Sequence, residues 1–243
     1  FLMTLILLAP FVIFLANLKI NDRHSNTIIS DYSENILKTV EKNSLIITEG
    51  DTVTGPLWYF QSIGRGNNIV VIDKNILDWD WYIRNLNKKY PDTITLSLLN
   101  EPTSTGRLRQ IISQNIKNLP IYTSFFNENF NKELLNEWTF TPVGIVYQIT
   151  TAKQDIRHVE DRNTKLWRSY QIRNLDNYNG SFFVELHVKD YAVALNNLAT
   201  IYIEGGLLEE AKEALQKSVG IHPIIKPIAE KNLEFIKKLE KRK

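Results

Sequence analysis

The chain opens with a run that carries no charge. Phe1–Leu18 reads FLMTLILLAPFVIFLANL. A helix of that length would extend ~27 Å at 1.5 Å per residue, close to the hydrocarbon thickness of a bilayer. Pro10 would kink it, which a membrane helix tolerates. Lys19, Asp22 and Arg23 then mark an exit into water. A secretory signal would carry a basic region before the apolar run, and none is present. A buried soluble helix would show a polar face, to which only Thr4 and Asn17 contribute. A processed pilin-like stalk would have Glu at position 5, where this chain has Leu. Residues 1–18 therefore read as a transmembrane helix. The first residue is not Met, so further spans are expected before it.

The remainder has the composition of a folded body. Of 243 residues, 43% are hydrophobic and 23% charged, which is enough apolar surface for one good-sized core and a smaller one. Lys and Arg (29) nearly balance Asp and Glu (27). No basic face for nucleic acid follows from that balance. The one basic run, Lys237, Lys238, Lys241, Arg242 and Lys243, reads as a solvated helix end, where cations complement the dipole. The absence of cysteine excludes disulfides and thiolate metal sites. His24, His158, His187 and His222 show neither HExxH nor i, i+4 spacing, so no metal site is expected.

Between residues 19 and 150 the pattern alternates. Ile36, Leu37 and Val40 predict a helix over 30–40, with Asp31 as N-cap and Asn43 as stop. Leu45–Thr48 reads as a buried strand, and Thr54-Gly55-Pro56 as the opening of a helix with proline in its first turn. Ile69–Ile72 is the clearest strand. Asp78 is expected to cap a helix over 79–89. Strands are expected at 94–98 and 119–123, helices at 107–116 and 133–135, and a closing hairpin from 138–140 and 144–149. The expected fold class is α/β: a mainly parallel, Rossmann-like sheet with helices on both faces, preceded by the transmembrane helix and followed by an all-α hairpin.

In such sheets ligands sit beyond the carboxyl ends of the strands. The loops at 50–54 and 73–78 occupy that edge, with neither GxGxxG nor GKS/GKT to cradle phosphate. Asp51, Asp73, Asp78 and Asp80 are expected to converge there. Asp78-Trp79-Asp80 has the DxD form of some cation-dependent sugar-nucleotide enzymes, but capping accounts for it more simply. Trp79, Tyr82, Ile83 and Leu86 form one apolar stripe, read as core, while Trp81 shares a face with Arg84, Asn85 and Lys88. Trp58 likewise lies with Gln61, Ser62 and Arg65 on the face opposite Leu57 and Phe60. Trp58 and Trp81 beside Asp51 and Asp73 suit a sugar ring or a peptide; equally, a neighbouring domain would cover both rings. Asn179-Gly180-Ser181 fits the glycosylation tripeptide and carries no weight alone.

After a helical linker over 151–190, residues 191–243 carry a specific spacing. Leu195, Leu198, Ala199 and Tyr202 form one helical face, Gly206 and Leu208 the turn, and Ala211, Leu215 and Ser218 the facing helix, which Pro223 ends. This resembles the 34-residue tetratricopeptide pattern beginning at Ala192. A single repeat cannot bury its own faces. Residues 225–239, with Ile228, Leu233, Ile236 and Leu239, are the expected lid, and 182–188 the tie to the α/β body. Such a surface either binds a protein or braces the fold.

One family shares much of the first ninety residues. Asn21-Asp22-Arg23, Asp31-Tyr32, Asn35-Ile36-Leu37, Asn43-Ser44-Leu45-Ile46, Gly50-Asp51, Pro56-Leu57-Trp58-Tyr59, Asp73 and Trp81-Tyr82-Ile83 resemble the region after the membrane spans of the protein O-mannosyltransferase-like multi-spanning proteins, the DUF2723 family. The resemblance implies a GT-C type membrane glycosyltransferase with a polyprenyl-phosphate sugar donor. It places catalysis in an acidic loop near the start of the membrane region, outside this sequence, so no catalytic residue and no cofactor is carried over. The resulting expectation is an extracytoplasmic (periplasmic or lumenal) membrane-anchored segment that positions a protein acceptor. The alternative is a non-enzymatic membrane-anchored scaffold that docks partner proteins through its hairpin.

Overall fold

The computed structural model describes residues 2–22, 26–96, 101–126, 134–175 and 181–241. Helices α1 (Leu2–Asn21) and α2 (Ile28–Thr39) lead into β1 (Ser44–Thr48), α3 (Asp51–Ser62) and β2 (Ile69–Asp73). A 3-10 turn at Lys74–Ile76 precedes α4 (Asp80–Lys89), α5 (Ser104–Asn115) and β3 (Ile121–Thr123). A second turn at Leu134–Asn136 precedes β4 (Thr139–Val143) and β5 (Val146–Thr150). The rest is helical: α6 (Ile156–Ser169), α7 (Phe182–Glu204), α8 (Leu208–Ile221) and α9 (Lys226–Glu240).

The sheet order is β2-β1-β3-β5-β4. β1 is parallel to β2 and β3, whereas β5 is antiparallel to β3 and β4. The expected mainly parallel, Rossmann-like sheet is thus corrected to a small mixed one in a structure about 62% helical. The cause is the connection between β4 and β5. Gly144, at φ +57°, and Ile145 turn the chain back at once, whereas a parallel return needs a crossover of roughly a dozen residues. Pro142 is tolerated because β4 is the edge strand.

The transmembrane expectation is also corrected. Among the described residues no helix is long and apolar enough to cross a membrane. In α1 the described apolar side chains run from exposed Leu8 to exposed Leu18.

β1 is buried on both faces. Leu45 and Ile47 pack with Val70, Ile72 and residues of α4 and α5. Ile46 and Val71 face the other way, against Tyr32 and Ile36 of α2, Leu57 of α3 and Tyr191 of α7. Several boundaries shift for local reasons. α3 begins at Asp51 because Gly50, at φ +82°, enters the helix directly. Pro56 then lies inside it and offers no N–H to Thr52 O. His187 Nε2, 3.0 Å from that carbonyl, donates instead. Residues 94–96 form no strand, since both backbone groups of Thr95 bond to the Asn115 side chain at 2.7 and 2.8 Å; residues 97–98 lie outside the described residues. So do Glu133, Asn179, Gly180, His24, Arg242 and Lys243. Asp31 is not a cap. It sits buried in the first turn of α2 and holds Arg173 through both oxygens, at 3.0 and 2.5 Å.

α6 is fastened to the hairpin turn by Asn163, which accepts from Gly144 N at 2.7 Å and donates to Pro142 O at 3.1 Å. A Cβ on Gly144 would lie 1.6 Å from Tyr170 Oη. Gly144→Ala is expected to cost about 2–4 kcal/mol in urea unfolding, and about 1 kcal/mol less in a Tyr170→Phe background.

Asp190 on α7 lies beside Tyr32 and His187, and burial lifts its carboxyl above the ordinary 3.8 against the opposing pull of both neighbours. A raised folded pKa means stability that is complete below the unfolded value and lost as pH rises through the folded one. Asp190→Asn is expected to raise the melting temperature near pH 7, with the gain vanishing below about pH 4. Thermal unfolding followed by circular dichroism across that range checks it.

Candidate functional site: an aromatic edge beside the parallel strands

Thr48 and Asp73 end β1 and β2 as register partners. Between them and α3 lies a buried polar knot. Thr54 Oγ1 donates to Asp73 Oδ2 at 2.8 Å and lies 2.7 Å from Thr48 Oγ1, and Asp73 Oδ1 accepts from Asn75 N at 2.8 Å. Asp73 is 3% exposed and both its oxygens are engaged. It is therefore a support for the edge, and its carboxylate does not reach a ligand. Asp51 is the first residue of α3 and is exposed, where the helix dipole favours its charge.

The expected convergence of four carboxylates is not found. Asp78 is exposed, and α4 begins at Asp80 with Trp79 at its N-cap. Asp80 pairs with Arg107 at 2.8 Å, and Arg107 also holds Leu77 O at 2.8 Å. Lys74 pairs with Glu49 on the same side. Among the described residues no group of three or more His, Asp or Glu is placed to hold a metal ion.

What the fold does assemble is aromatic. Asp73 N donates to Tyr82 Oη at 2.9 Å, and Tyr82 is 5% exposed. Burial, as the largest cause, lifts its phenol well above the ordinary range. The Tyr82 ring lies 6.5 Å from Trp58 and 5.8 Å from Trp81. Trp58, on α3, is 37% exposed and Trp81, on α4, 48%. Trp79, read from periodicity as core, is 58% exposed: it precedes the helix in an extended conformation, so helical spacing does not govern it. Tyr59 and Ile63 are exposed on α3. Trp58 and Trp81 are thus joined through Tyr82, which the sequence places only in the core. A tyrosine between two exposed tryptophans has no pattern of its own in the sequence, because the three residues come from two helices.

In the helical half, Leu195, Leu198, Ala199, Tyr202, Leu208, Ala211 and Leu215 are buried. Gly206, at φ +78°, lies in the turn between α7 and α8, and Pro223 opens a 3-10 turn after α8. Ser218 Oγ donates to Ala192 O at 2.6 Å, tying the two helices together. α9 covers them with Ala229 and Ile236, while Ile228 is exposed.

Residues 29–129, the stretch that carries β1–β3 and the aromatic edge, match the family TMEM260-associated domain 2. The chain is 22% identical over 219 residues to the protein O-mannosyl-transferase tmem260 of Dictyostelium discoideum. This chain is similar to the protein O-mannosyltransferase-like proteins. The alignment covers 84% of it and 26% of the Dictyostelium protein, so the chain spans about a quarter of that relative's length. No solved structure matches.

Two variants separate support from surface. Asp73→Ala strips the acceptor from Thr54 and from Asn75 N, and is expected to cost about 2–3 kcal/mol in urea unfolding. Asp51→Ala, at the exposed helix start, is expected to cost under ~1 kcal/mol. Equal costs would contradict the role given to Asp73.

Proposed function

We propose that this chain is a segment of a protein O-mannosyltransferase-like membrane glycosyltransferase, of the DUF2723, GT-C kind, and that it positions the protein acceptor on the extracytoplasmic side. The reading rests on one observation: the edge on which exposed Trp58 and Trp81 flank the buried Tyr82 lies inside the stretch matched to the TMEM260-associated domain. Broad aromatic faces, with the exposed carboxylate of Asp51 about two turns away along α3, suit a peptide carrying hydroxyl groups, or the sugar placed on them. Chemistry on a polyprenyl-phosphate sugar donor belongs to other parts of such an enzyme, and no residue here is given a catalytic role. The Dictyostelium relative's name supports the reaction class. The fold supports the division of labour, since Asp73 and Asp80 are consumed in structural contacts.

Titration with an uncharged serine- and threonine-rich peptide, and with its O-mannosylated form, tests this. At least one is expected to quench tryptophan emission. Trp58→Ala combined with Trp81→Ala is expected to weaken binding at least ~10-fold while leaving the far-ultraviolet spectrum intact. Binding that survives the double substitution, or no binding of either peptide, would remove the proposal. A second reading, docking of a partner protein, is favoured by a cleft in the helical half.

A further inference from the structure

A cleft of about 450 Å³ lies between α6 and the α7–α8 hairpin, away from the aromatic edge. Its size falls within the ordinary range of small binding sites, roughly 300–1,000 Å³. Trp167, Leu195, Leu198, Ala214 and Ile221 give it apolar walls. Its two ends differ in charge. Arg157 at the start of α6 pairs with Glu210 near the start of α8 at 3.0 Å, so Glu160, Glu210 and the Tyr202 hydroxyl share the end near the hairpin turn. Arg168 and Lys217 line the other end. Along α6, Glu160 and Arg168 are ~12 Å apart.

Two groups at the acidic end are incomplete. Glu210 has Arg157, and Glu213 has Lys217 at 2.6 Å. Glu160 accepts from the Thr164 hydroxyl at 3.0 Å and has no cation among the described residues. Tyr202 is 4% exposed, lines the cleft, and its hydroxyl makes no hydrogen bond among the described residues. Burial first, then Glu160, Glu210 and Glu213, raise its pKa, which places all three carboxylates in electrostatic reach of that hydroxyl. The Tyr202 hydroxyl is not sealed from solvent, so it lies open in the cleft and free to accept from a ligand. An ammonium or guanidinium can donate to both the Glu160 carboxylate and the phenol oxygen, and its charge matches the carboxylate.

We propose that this cleft takes a lysine or arginine side chain of a partner polypeptide, with its charged head between Glu160 and the Tyr202 hydroxyl and its alkyl stem along Leu198 and Trp167. Arg168 at the far end, beside the Lys217–Glu213 pair, favours a polypeptide over a bare ammonium ion. Arg168 suits the backbone carbonyls or an acidic group of an extended segment, about three residues along. This site is separate from the acceptor edge proposed above and stands without it.

Calorimetry with blocked tripeptides on the whole chain tests the inference. Alanyl-arginyl-alanine or alanyl-lysyl-alanine is expected to bind in the millimolar range, and alanyl-glutamyl-alanine is expected not to. Glu160→Gln should weaken the basic peptides about tenfold, and Tyr202→Phe several-fold, with unchanged melting temperatures. The Trp58→Ala, Trp81→Ala variant should bind them normally, which separates failure here from failure at the aromatic edge. Equal binding of the glutamyl peptide, undiminished binding by Glu160→Gln, or no binding of either basic peptide would overturn the proposal. Butylammonium binding as tightly as the peptides would overturn the assignment to a polypeptide.

Discussion

Helix α7 is shared between two cores. Tyr191 and Ala194 pack with Tyr32, Ile36 and Ile46 on the sheet. One residue further round the helix, Ala192, with Leu198 and Ala199, packs against α8 and α9. A sheet face left open exposes its apolar residues, and a lone helical hairpin cannot bury its own. A single helix of 23 residues answers both needs. Polar contacts fix its position: Asn35 Nδ2 donates to Tyr191 Oη at 2.8 Å, and His187 completes the helix that Pro56 interrupts. The small side chains Ala192 and Ala199, both fully buried, let α8 approach closely.

The aromatic edge inherits its geometry from a similar economy. Asp73 ends β2, caps the 3-10 turn after it, and anchors Thr54 on α3. Its backbone N–H holds Tyr82, and Tyr82 sets the spacing of Trp58 and Trp81. The exposed rings are therefore carried on regular helices pinned to the sheet, not on a loose loop. Such an edge presents a preformed surface, which lowers the ordering cost of binding.

The carboxylates tell the two halves apart. In the α/β half, Asp31, Asp73 and Asp80 are engaged by Arg173, Thr54 and Arg107. Their chemistry goes into holding elements together. In the helical half, Glu160 has no cation among the described residues and lines a cleft in which the Tyr202 hydroxyl makes no hydrogen bond among them either. The first arrangement is stabilising and the second is receptive.

Much of the local structure was legible from residue order. The aliphatic runs at 45–47 and 69–72 mark strands buried on both sides, because a strand so placed has no polar face. The spacing of Leu198, Ala199, Ala211 and Leu215 marks two helices in close contact, because small and large residues recur at helical intervals. Trp58 and Trp81 could be placed on exposed faces by the same periodicity. Other features depended on partners distant in sequence. Residues 94–96 have strand-like composition, yet Asn115 takes the hydrogen bonds of Thr95. Trp79 has the right spacing for the core, but the helix starts one residue after it. The direction of β5 follows from the tight turn at Gly144, and its place beside β3 from which edge was free. Neither the Tyr82 bridge nor the cleft at Glu160 has a sequence signature, since each joins residues from separate helices. Periodicity along the chain determined which segments are helix or strand and which sides are apolar. Strand direction, the joining of distant side chains and the pairing of charges were decided in three dimensions, because hydrogen bonds and ion pairs go to whichever partner the packing brings near.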